Sequence, residues 1–200
     1  MAWAEKFSTD KRMELPDKWA YYYPDDPYIL VYDFFWDDTL CGCKSGWDYF
    51  WRAAFTSETE DSDIGINRIV SAYIDMLKLT ETAYSIYASE QLAAIMPGGK
   101  GLLRKIQRIR VKLKDAKDYP AHLSLAEWQK PRLVCKSFCS RYTLQSRKAV
   151  LYYLLRHALM YESMAAEHPA AAEIAGDYLD FVRLMEAMWL IRITELPPWK

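Results

Sequence analysis

Residues 149–161, AVLYYLLRHALMY, form an apolar run that indicates the fold class of this chain. Eleven of the thirteen residues are apolar or aromatic, and only Arg156 and His157 interrupt them. A helix with apolar side chains all round belongs inside a bundle, where other helices cover each side. The run is also shorter than the roughly 18 to 20 residues that span a bilayer. We therefore predict an all-α fold, a compact bundle of about five to six helices with this run as its central helix.

Helical periodicity also covers the residues upstream of the run. From about residue 63 to 96, apolar and polar side chains form two opposed stripes at three- to four-residue spacing, which predicts one amphipathic helix ending at Pro97-Gly98-Gly99. Such a helix would be about 50 Å long at 1.5 Å per residue, so a break near residues 80–82 is the alternative. The periodicity of residues 101–117 predicts the next helix, and its outer face is basic.

Helix-start signals divide the remainder of the chain. Ser124 and Glu127 have the spacing of a capping box, and Pro131 suits the first turn of the helix that follows. We expect the central helix to continue to about residue 167. Pro169 then opens a last helix that reaches about residue 194.

We predict that residues 1–62 form an aromatic arm, which packs on the bundle of residues 63–200 within a single domain. Pro16, Pro24 and Pro27 exclude a long helix early in this segment, and we expect irregular structure with one short helix that Ser45 caps. Residues 28–36, YILVYDFFW, fit either a short strand or a buried helical turn. The 200 residues, 52% of them hydrophobic, are enough for one closed core.

Charge is segregated along the chain. Residues 1–63 carry 14 acidic and 6 basic side chains, a net charge of −8, whereas residues 100–156 carry 3 acidic and 15 basic ones, a net charge of +12. Three arrangements are consistent with the basic block of residues 100–156. It is a solvated helix face, a surface docked on the chain's own acidic arm, or a binding surface for nucleic acid or another polyanion.

The four cysteines fall as Cys41-Gly-Cys43 and Cys135-x3-Cys139. Paired zinc ligands usually stand two to four residues apart, so a one-residue gap is uncommon. Because cysteine is among the most buried residue types and disulfides are rare in the cytosol, we predict free thiols and no metal. The N-terminus shows no secretory pattern and no run spans a membrane, so we expect a cytoplasmic location without a membrane partner.

An aspartate cluster follows the aromatic run of the arm. Asp33-x3-Asp37-Asp38 resembles the aspartate-rich magnesium motif of terpenoid synthases, which are all-helical enzymes. The resemblance covers about six residues and implies a magnesium-dependent enzyme. Cys41 stands where that motif has its third carboxylate, and the second magnesium segment of the family is missing around Asp177.

Other catalytic patterns are absent from the sequence. Residues 96–101, MPGGKG, lack the phosphate-loop spacing, and no glutamate stands three residues before a histidine as a di-iron bundle requires. His157 is expected to be a hydrogen-bonded core residue. We therefore predict a protein that is not an enzyme and needs no cofactor.

The acidic aromatic arm is the predicted binding surface. Interfaces concentrate tyrosine and tryptophan, and the arm pairs such rings with carboxylates. The predicted partner-binding residues are Tyr21, Tyr22, Tyr23, Asp25, Asp26, Tyr28, Asp37 and Asp38. We predict a non-enzymatic inhibitor of a nucleic-acid-handling or toxin protein, of the immunity or anti-defence type, whose partner has a basic surface. The alternative is a nucleic-acid-binding protein that uses Arg104, Lys105, Arg108 and Lys112.

Overall fold

The computed structural model describes residues 27–35, 39–56, 63–90, 116–160, 163–167 and 171–194. Within these ranges there are eight α-helices and no strand, which confirms the all-α prediction. The helices are α1 (Pro27–Phe34), α2 (Leu40–Thr56), α3 (Asp63–Glu90), α4 (Leu125–Gln129), α5 (Arg132–Arg141), α6 (Leu144–Met160), α7 (Met164–Glu167) and α8 (Ala171–Thr194). A 3-10 turn, Ala116–Asp118, precedes α4.

The helices pack around one shared hydrophobic core. Helix α3 contacts α1, α2, α5 and α6, while α2 contacts α6, α7 and α8 as well. Trp47 and Phe50 of α2 are buried in this core. The N-terminal segment thus supplies two helices to the part of the bundle that the structure describes, and one of them lies at its centre.

Residues 27–35 show how the N-terminal segment folds locally. The choice between strand and helical turn resolves as helix α1, with Pro27 at its first position, where a missing N–H does no harm. Helix α2 begins at Leu40, so the prediction that Ser45 caps it is wrong. The N–H groups of Gly42 and Cys43 instead bond to the Thr39 hydroxyl and carbonyl.

Helix α6 is less enclosed than its sequence suggested. Its last turn exposes Arg156, Leu159 and Met160, so the expectation of a helix without a solvent face is wrong. It ends at Met160, before the predicted residue 167, and the short α7 follows. The segment that is buried nearly all round is residues 181–191 of α8, where every residue except Arg183 is buried.

The long amphipathic helix α3 is continuous from Asp63 to Glu90. The alternative break near residues 80–82 does not occur. The hydroxyls of Thr80 and Thr82 bond to carbonyls one turn back, so these two polar groups are satisfied within the helix. The predicted continuation to residue 96 and nearly all of the predicted helix 101–117 lie outside the described residues.

Two predicted helix starts are confirmed. Ser124 and Glu127 form the reciprocal bonds of a capping box at the start of α4, and Pro131 is the N-cap residue of α5. Among the described helices, none is long and apolar enough to cross a membrane.

Candidate functional site

A cleft of about 590 Å³ lies between α1, α2 and α3. This volume falls in the range typical of ligand sites, about 300 to 1,000 Å³. Its lining combines apolar, polar and charged side chains with the backbone of two glycines. The lining residues are Asp33, Phe34, Gly42, Cys43, Gly46, Trp47, Asn67, Arg68, Ser71, Ala72, Asp75 and Met76.

The rim of the cleft carries two acids and one base. Asp33 is exposed near the C-terminal end of α1, and Asp75 is exposed on α3. Asp33 has no ion pair or hydrogen bond within the part of the chain that the structure describes. Arg68 is also exposed, but its guanidinium carbon lies 4.3 Å from the centroid of the Tyr49 ring. Two acids and one base therefore line the cleft.

Trp47 is the most deeply buried aromatic residue among those that line the cleft. Its ring is only 1% exposed and lies 4.9 Å from the Phe181 ring and 5.2 Å from the Trp51 ring, centroid to centroid. The indole Nε1–H is buried and has no hydrogen-bond acceptor among the described residues. A buried donor without an acceptor costs free energy, so this indole N–H is a cost that the packing of the core outweighs.

The start of α2, beside the cleft, is already satisfied by the protein. Free N–H groups at a helix N-terminus attract anions. Here the Cys41 N–H bonds to the buried Asp118 carboxylate at 3.0 Å, and those of Gly42 and Cys43 bond to Thr39. The helix start is therefore not available as an anion site.

Gly46 leaves the α2 side of the cleft open. A Cβ atom added at this position would meet no heavy atom within 4 Å.

A second polar cluster surrounds Glu186, which is completely buried on α8. Its Oε1 accepts bonds from the Lys44 ammonium group, from the Ala121 N–H at 2.9 Å and from His122 Nδ1 at 2.9 Å. Its Oε2 accepts the His122 N–H at 2.9 Å. Burial raises the pKa of Glu186, but these donors outweigh it and hold the pKa below its usual value. The ionised carboxylate thereby fastens α2 and the segment before α4 to α8.

A third cluster surrounds Arg147, which is also completely buried. Its guanidinium group donates to Asp177 at 2.8 Å and to Asp180 at 3.4 Å, and its central carbon lies 4.1 Å from the centroid of the Phe138 ring. Burial raises the pKa of Asp177 and outweighs the lowering effect of Arg147. One Asp177 oxygen has no partner among the described residues, which agrees with that direction.

The buried arginine of the bundle is not the one that the sequence indicated. We placed Arg156 inside the apolar run, but Arg156 is exposed and its Nε lies 3.4 Å from Met160 Sδ. Arg147, in the polar stretch before the run, is the buried arginine. His157 is buried as expected.

Most of the predicted binding residues lie outside the described part of the chain. This holds for Tyr21, Tyr22, Tyr23, Asp25, Asp26, Asp37 and Asp38. Tyr28 is described, and it packs half-buried against the core beneath Arg132, 5.4 Å from the ring centroid to the guanidinium carbon. Of the magnesium motif, the structure places only Asp33, at the rim of the cleft.

The residues of the nucleic-acid alternative, Arg104, Lys105, Arg108 and Lys112, also lie outside the described ranges. The described part of the basic block is partly neutralised by acids of α3 and α8. Lys148 pairs with Glu81, and Arg141 pairs with Asp180. These basic side chains stabilise the bundle.

The four cysteines are free thiols, with Cys135 and Cys139 buried and Cys41 and Cys43 partly exposed. Burial raises the pKa of Cys139 to about 12. Among the residues that the structure places, no three histidine, cysteine or acidic side chains are grouped so as to hold a metal ion.

Sequence reasoning missed the cleft although it found some of its walls. Trp47 lies in the short helix predicted for the N-terminal segment, and Asp75 lies in the predicted amphipathic helix. What brings them to one cavity is the packing of α1 and α2 on α3. The Glu186 cluster, which does not line the cleft, had a signal in the sequence, because Glu186 is an acid within the mostly apolar run 181–191. Comparison with protein-family models, curated proteins and solved structures finds no match to this chain.

Proposed function

We propose that this chain is a non-enzymatic binding module that inhibits a nucleic-acid-handling or toxin protein, as immunity and anti-defence proteins do. The binding surface is the acidic aromatic segment of residues 1–62 together with the cleft beside it. The observation that carries the proposal is the position of Asp33. This exposed acid of the N-terminal segment stands on the rim of a cleft of about 590 Å³, next to Phe34.

Charge supports a basic partner. The segment 1–63 has a net charge of −8, and a charged surface of this kind speeds encounter with a surface of opposite charge. Proteins that handle nucleic acid carry basic surfaces, since the phosphate backbone dominates their affinity. An acidic segment that covers such a surface would block it.

The hydrogen bonds of Glu186 make it unsuited to act as a general base. Both of its oxygens already accept hydrogen bonds from the protein, and its pKa is held low. A general base needs a free oxygen and a pKa near the working pH. This carboxylate therefore serves the bundle rather than a substrate.

The first experiment isolates the partner and rebuilds the complex from purified components. The variant Tyr22→Ala/Tyr23→Ala/Asp25→Asn/Asp26→Asn is expected to keep the melting temperature and to lose partner binding. The association rate of the unchanged protein should fall steeply as salt is raised.

A matched pair of single variants controls for net charge. Asp33→Asn and Glu173→Gln each remove one exposed acid, the first at the cleft and the second on α8. We expect Asp33→Asn to weaken the complex more than Glu173→Gln. Equal effects of the two, or unfolding of the arm variant, would contradict the proposal. Retardation of DNA or RNA that is lost on reversing Arg104, Lys105 and Arg108 would support the nucleic-acid alternative instead.

A further inference from the structure

We infer that Arg192, in the last turn of α8, binds the carboxylate group of a ligand. The inference goes beyond the proposed function and does not depend on it. It rests on three observations about the guanidinium group. This group is held over two aromatic rings, it is partly withdrawn from solvent, and no acid among the described residues pairs with it.

Three helices hold the Arg192 side chain in place. Its guanidinium carbon lies 5.2 Å from the centroid of the Trp189 ring and 5.8 Å from that of the Phe35 ring. Phe35 follows α1, and its ring meets the Trp189 ring edge-on, with 5.1 Å between the centroids. Tyr32 of α1 and Cys43 of α2 lie close enough to interact electrostatically with the same guanidinium group. A group that the fold already holds loses little freedom when it binds a ligand.

Arg192 has no counterion among the described residues. Burial lowers the pKa of Arg192, and the negative forms of Tyr32 and Cys43 only partly offset this effect. Tyrosine and cysteine side chains are generally protonated at pH 7, so they do not replace a carboxylate. A cation that is withdrawn from water without a counterion costs free energy. Because Arg192 is still partly exposed, an anion from solution can reach it and remove that cost.

Two other arginines of α6 and α8 show what kind of group Arg192 lacks. Arg147, which is completely buried, donates to the Asp177 carboxylate at 2.8 Å. Arg183, whose side chain is 31% exposed, pairs with the Glu127 carboxylate. Arg192 is also partly buried, but no carboxylate of the described residues stands in the corresponding place.

The chemistry of a single guanidinium group favours a carboxylate over a phosphate. A guanidinium group donates two parallel hydrogen bonds to one carboxylate, which matches both its shape and its charge. A phosphate group carries up to two charges and three acceptor oxygens, so it needs further donors. The N–H groups of Cys41, Gly42 and Cys43, at the start of α2, already bond to protein oxygens. The carboxylate belongs either to a small organic acid or to the end of a polypeptide, and the test includes both sources.

The test is NMR of the full chain labelled with nitrogen-15. The Arg192 Nε–H signal is assigned as the one lost in Arg192→Lys. The probes are acetate, titrated against chloride at constant ionic strength, acetamide, which keeps the shape without the charge, and inorganic phosphate. We expect a saturable shift of the Arg192 signal with acetate, binding at least about tenfold weaker for acetamide, and phosphate binding no tighter than acetate. The peptide acetyl-Gly-Gly, which ends in a carboxylate, separates the two sources, because tighter binding than acetate indicates the end of a polypeptide.

Arg68 is the matched control, because its guanidinium group also lies over a ring but is exposed. Its Nε–H signal should show no saturable shift with acetate. The melting temperature is a second readout, since a ligand that binds the folded chain raises it. Acetate should raise the melting temperature of the unchanged protein and of Arg68→Gln relative to chloride, but not that of Arg192→Gln. If Arg192→Gln does not fold, Arg192→Lys takes its place, because it keeps the charge without the planar fork.

Several outcomes would overturn the inference. An absent shift, equal shifts of the Arg68 and Arg192 signals, or acetamide binding equal to that of acetate would show that Arg192 is an ordinary solvated arginine. Tighter binding of phosphate would contradict the assignment of the ligand as a carboxylate.

Acids of the chain outside the described residues are the competing source of a carboxylate. Asp37 and Asp38 follow Phe35 closely in the sequence, and Glu195 stands three positions after Arg192. If Asp37→Asn/Asp38→Asn or Glu195→Gln moves the Arg192 Nε–H signal in the absence of acetate, the protein itself fills the site and the inference is overturned. A signal that these variants leave in place, and that acetate then moves, supports a site open to a ligand.

Discussion

Asp177 and Glu186 are both buried carboxylates of the same helix, α8, and yet their surroundings shift their pKa values in opposite directions. Glu186 accepts bonds at both oxygens, and its pKa lies below the usual value. Asp177 is bonded to Arg147 at one oxygen and has no partner at the other among the described residues, and burial raises its pKa. The comparison teaches that burial alone does not decide the charge of a carboxyl group. The number of donors directed at it does.

The largest expected effect is the difference in stability between Glu186→Gln and Asp177→Asn. Glu186→Gln leaves four donors facing an amide and should cost about 3 to 5 kcal/mol. Asp177→Asn should cost about 1 to 3 kcal/mol, because Arg147 keeps Asp180 and the Phe138 ring. Denaturant unfolding at pH 7 measures both free energies. Equal costs for Asp177→Asn and Glu186→Gln would contradict the expected difference between the two carboxyl groups.

Lowering the pH should reduce the contribution of Glu186 to stability and increase that of Asp177. The lowered pKa of Glu186 means that its contribution to stability is present above its ordinary pKa and is lost as the pH falls through the folded value. The raised pKa of Asp177 means that its contribution is present below its ordinary pKa and is lost as the pH rises through the folded value.

The measurement is the free energy of unfolding of the unchanged protein and both variants between pH 3 and pH 7. The advantage of the unchanged protein over Glu186→Gln should shrink toward low pH. Its advantage over Asp177→Asn should grow. Parallel slopes for the two variants would show that both carboxyl groups have the same direction of pKa shift.

Much of the local structure could be predicted from sequence, because its causes are local. The stripes of α3, the capping box of Ser124 and Glu127, and the helix up to residue 194 all depend on side chains within a few turns of one another. The charge clusters around Arg147 and Glu186 depend instead on side chains that are far apart in the sequence. Arg147 meets Asp177 thirty positions along the chain, and Lys44 meets Glu186 from 142 positions away.

The candidate site was harder still to predict. A polar residue beside an apolar run is expected to be exposed unless its partner is known, so the sequence gives no sign that Arg147 is buried. The cleft has no motif, since its walls come from three helices and one wall is the bare backbone at Gly46. Only Asp33 had been singled out there, for a magnesium motif whose other residues lie outside the described ranges.

A smaller effect should separate the donors around Glu186 from one another. Lys44→Met removes the ammonium group and keeps the stem, and it should cost about 1.5 to 3 kcal/mol, the usual range for a hydrogen bond to a charged group. His122→Ala should cost less, because the His122 side chain is 43% exposed and two backbone N–H groups still hold Glu186. Thermal unfolding of both variants gives the order. A larger loss for His122→Ala would mean that the imidazole is the principal donor.

The smallest effect is expected at the outer edge of the Asp177 cluster. Arg141 pairs with Asp180, but its side chain is 51% exposed, so water competes for the pair. Arg141→Ala should change the free energy of unfolding by about 1 kcal/mol or less. The same substitution in an Asp180→Asn background should then have almost no effect. A loss as large as the one expected for Asp177→Asn would show that the exposed pair is coupled to the buried one.

The four thiols differ in a way that makes the cleft chemically addressable. Only a thiolate reacts readily with an alkylating reagent. Cys139, with a pKa of about 12, holds almost none at neutral pH, and Cys135 is closed off from solvent. Cys41 and Cys43 remain partly open, and Cys43 lies in the cleft wall. A Cys41→Ser protein would thus carry a single accessible thiol, whose alkylation rate reports directly whether the cleft is empty or filled.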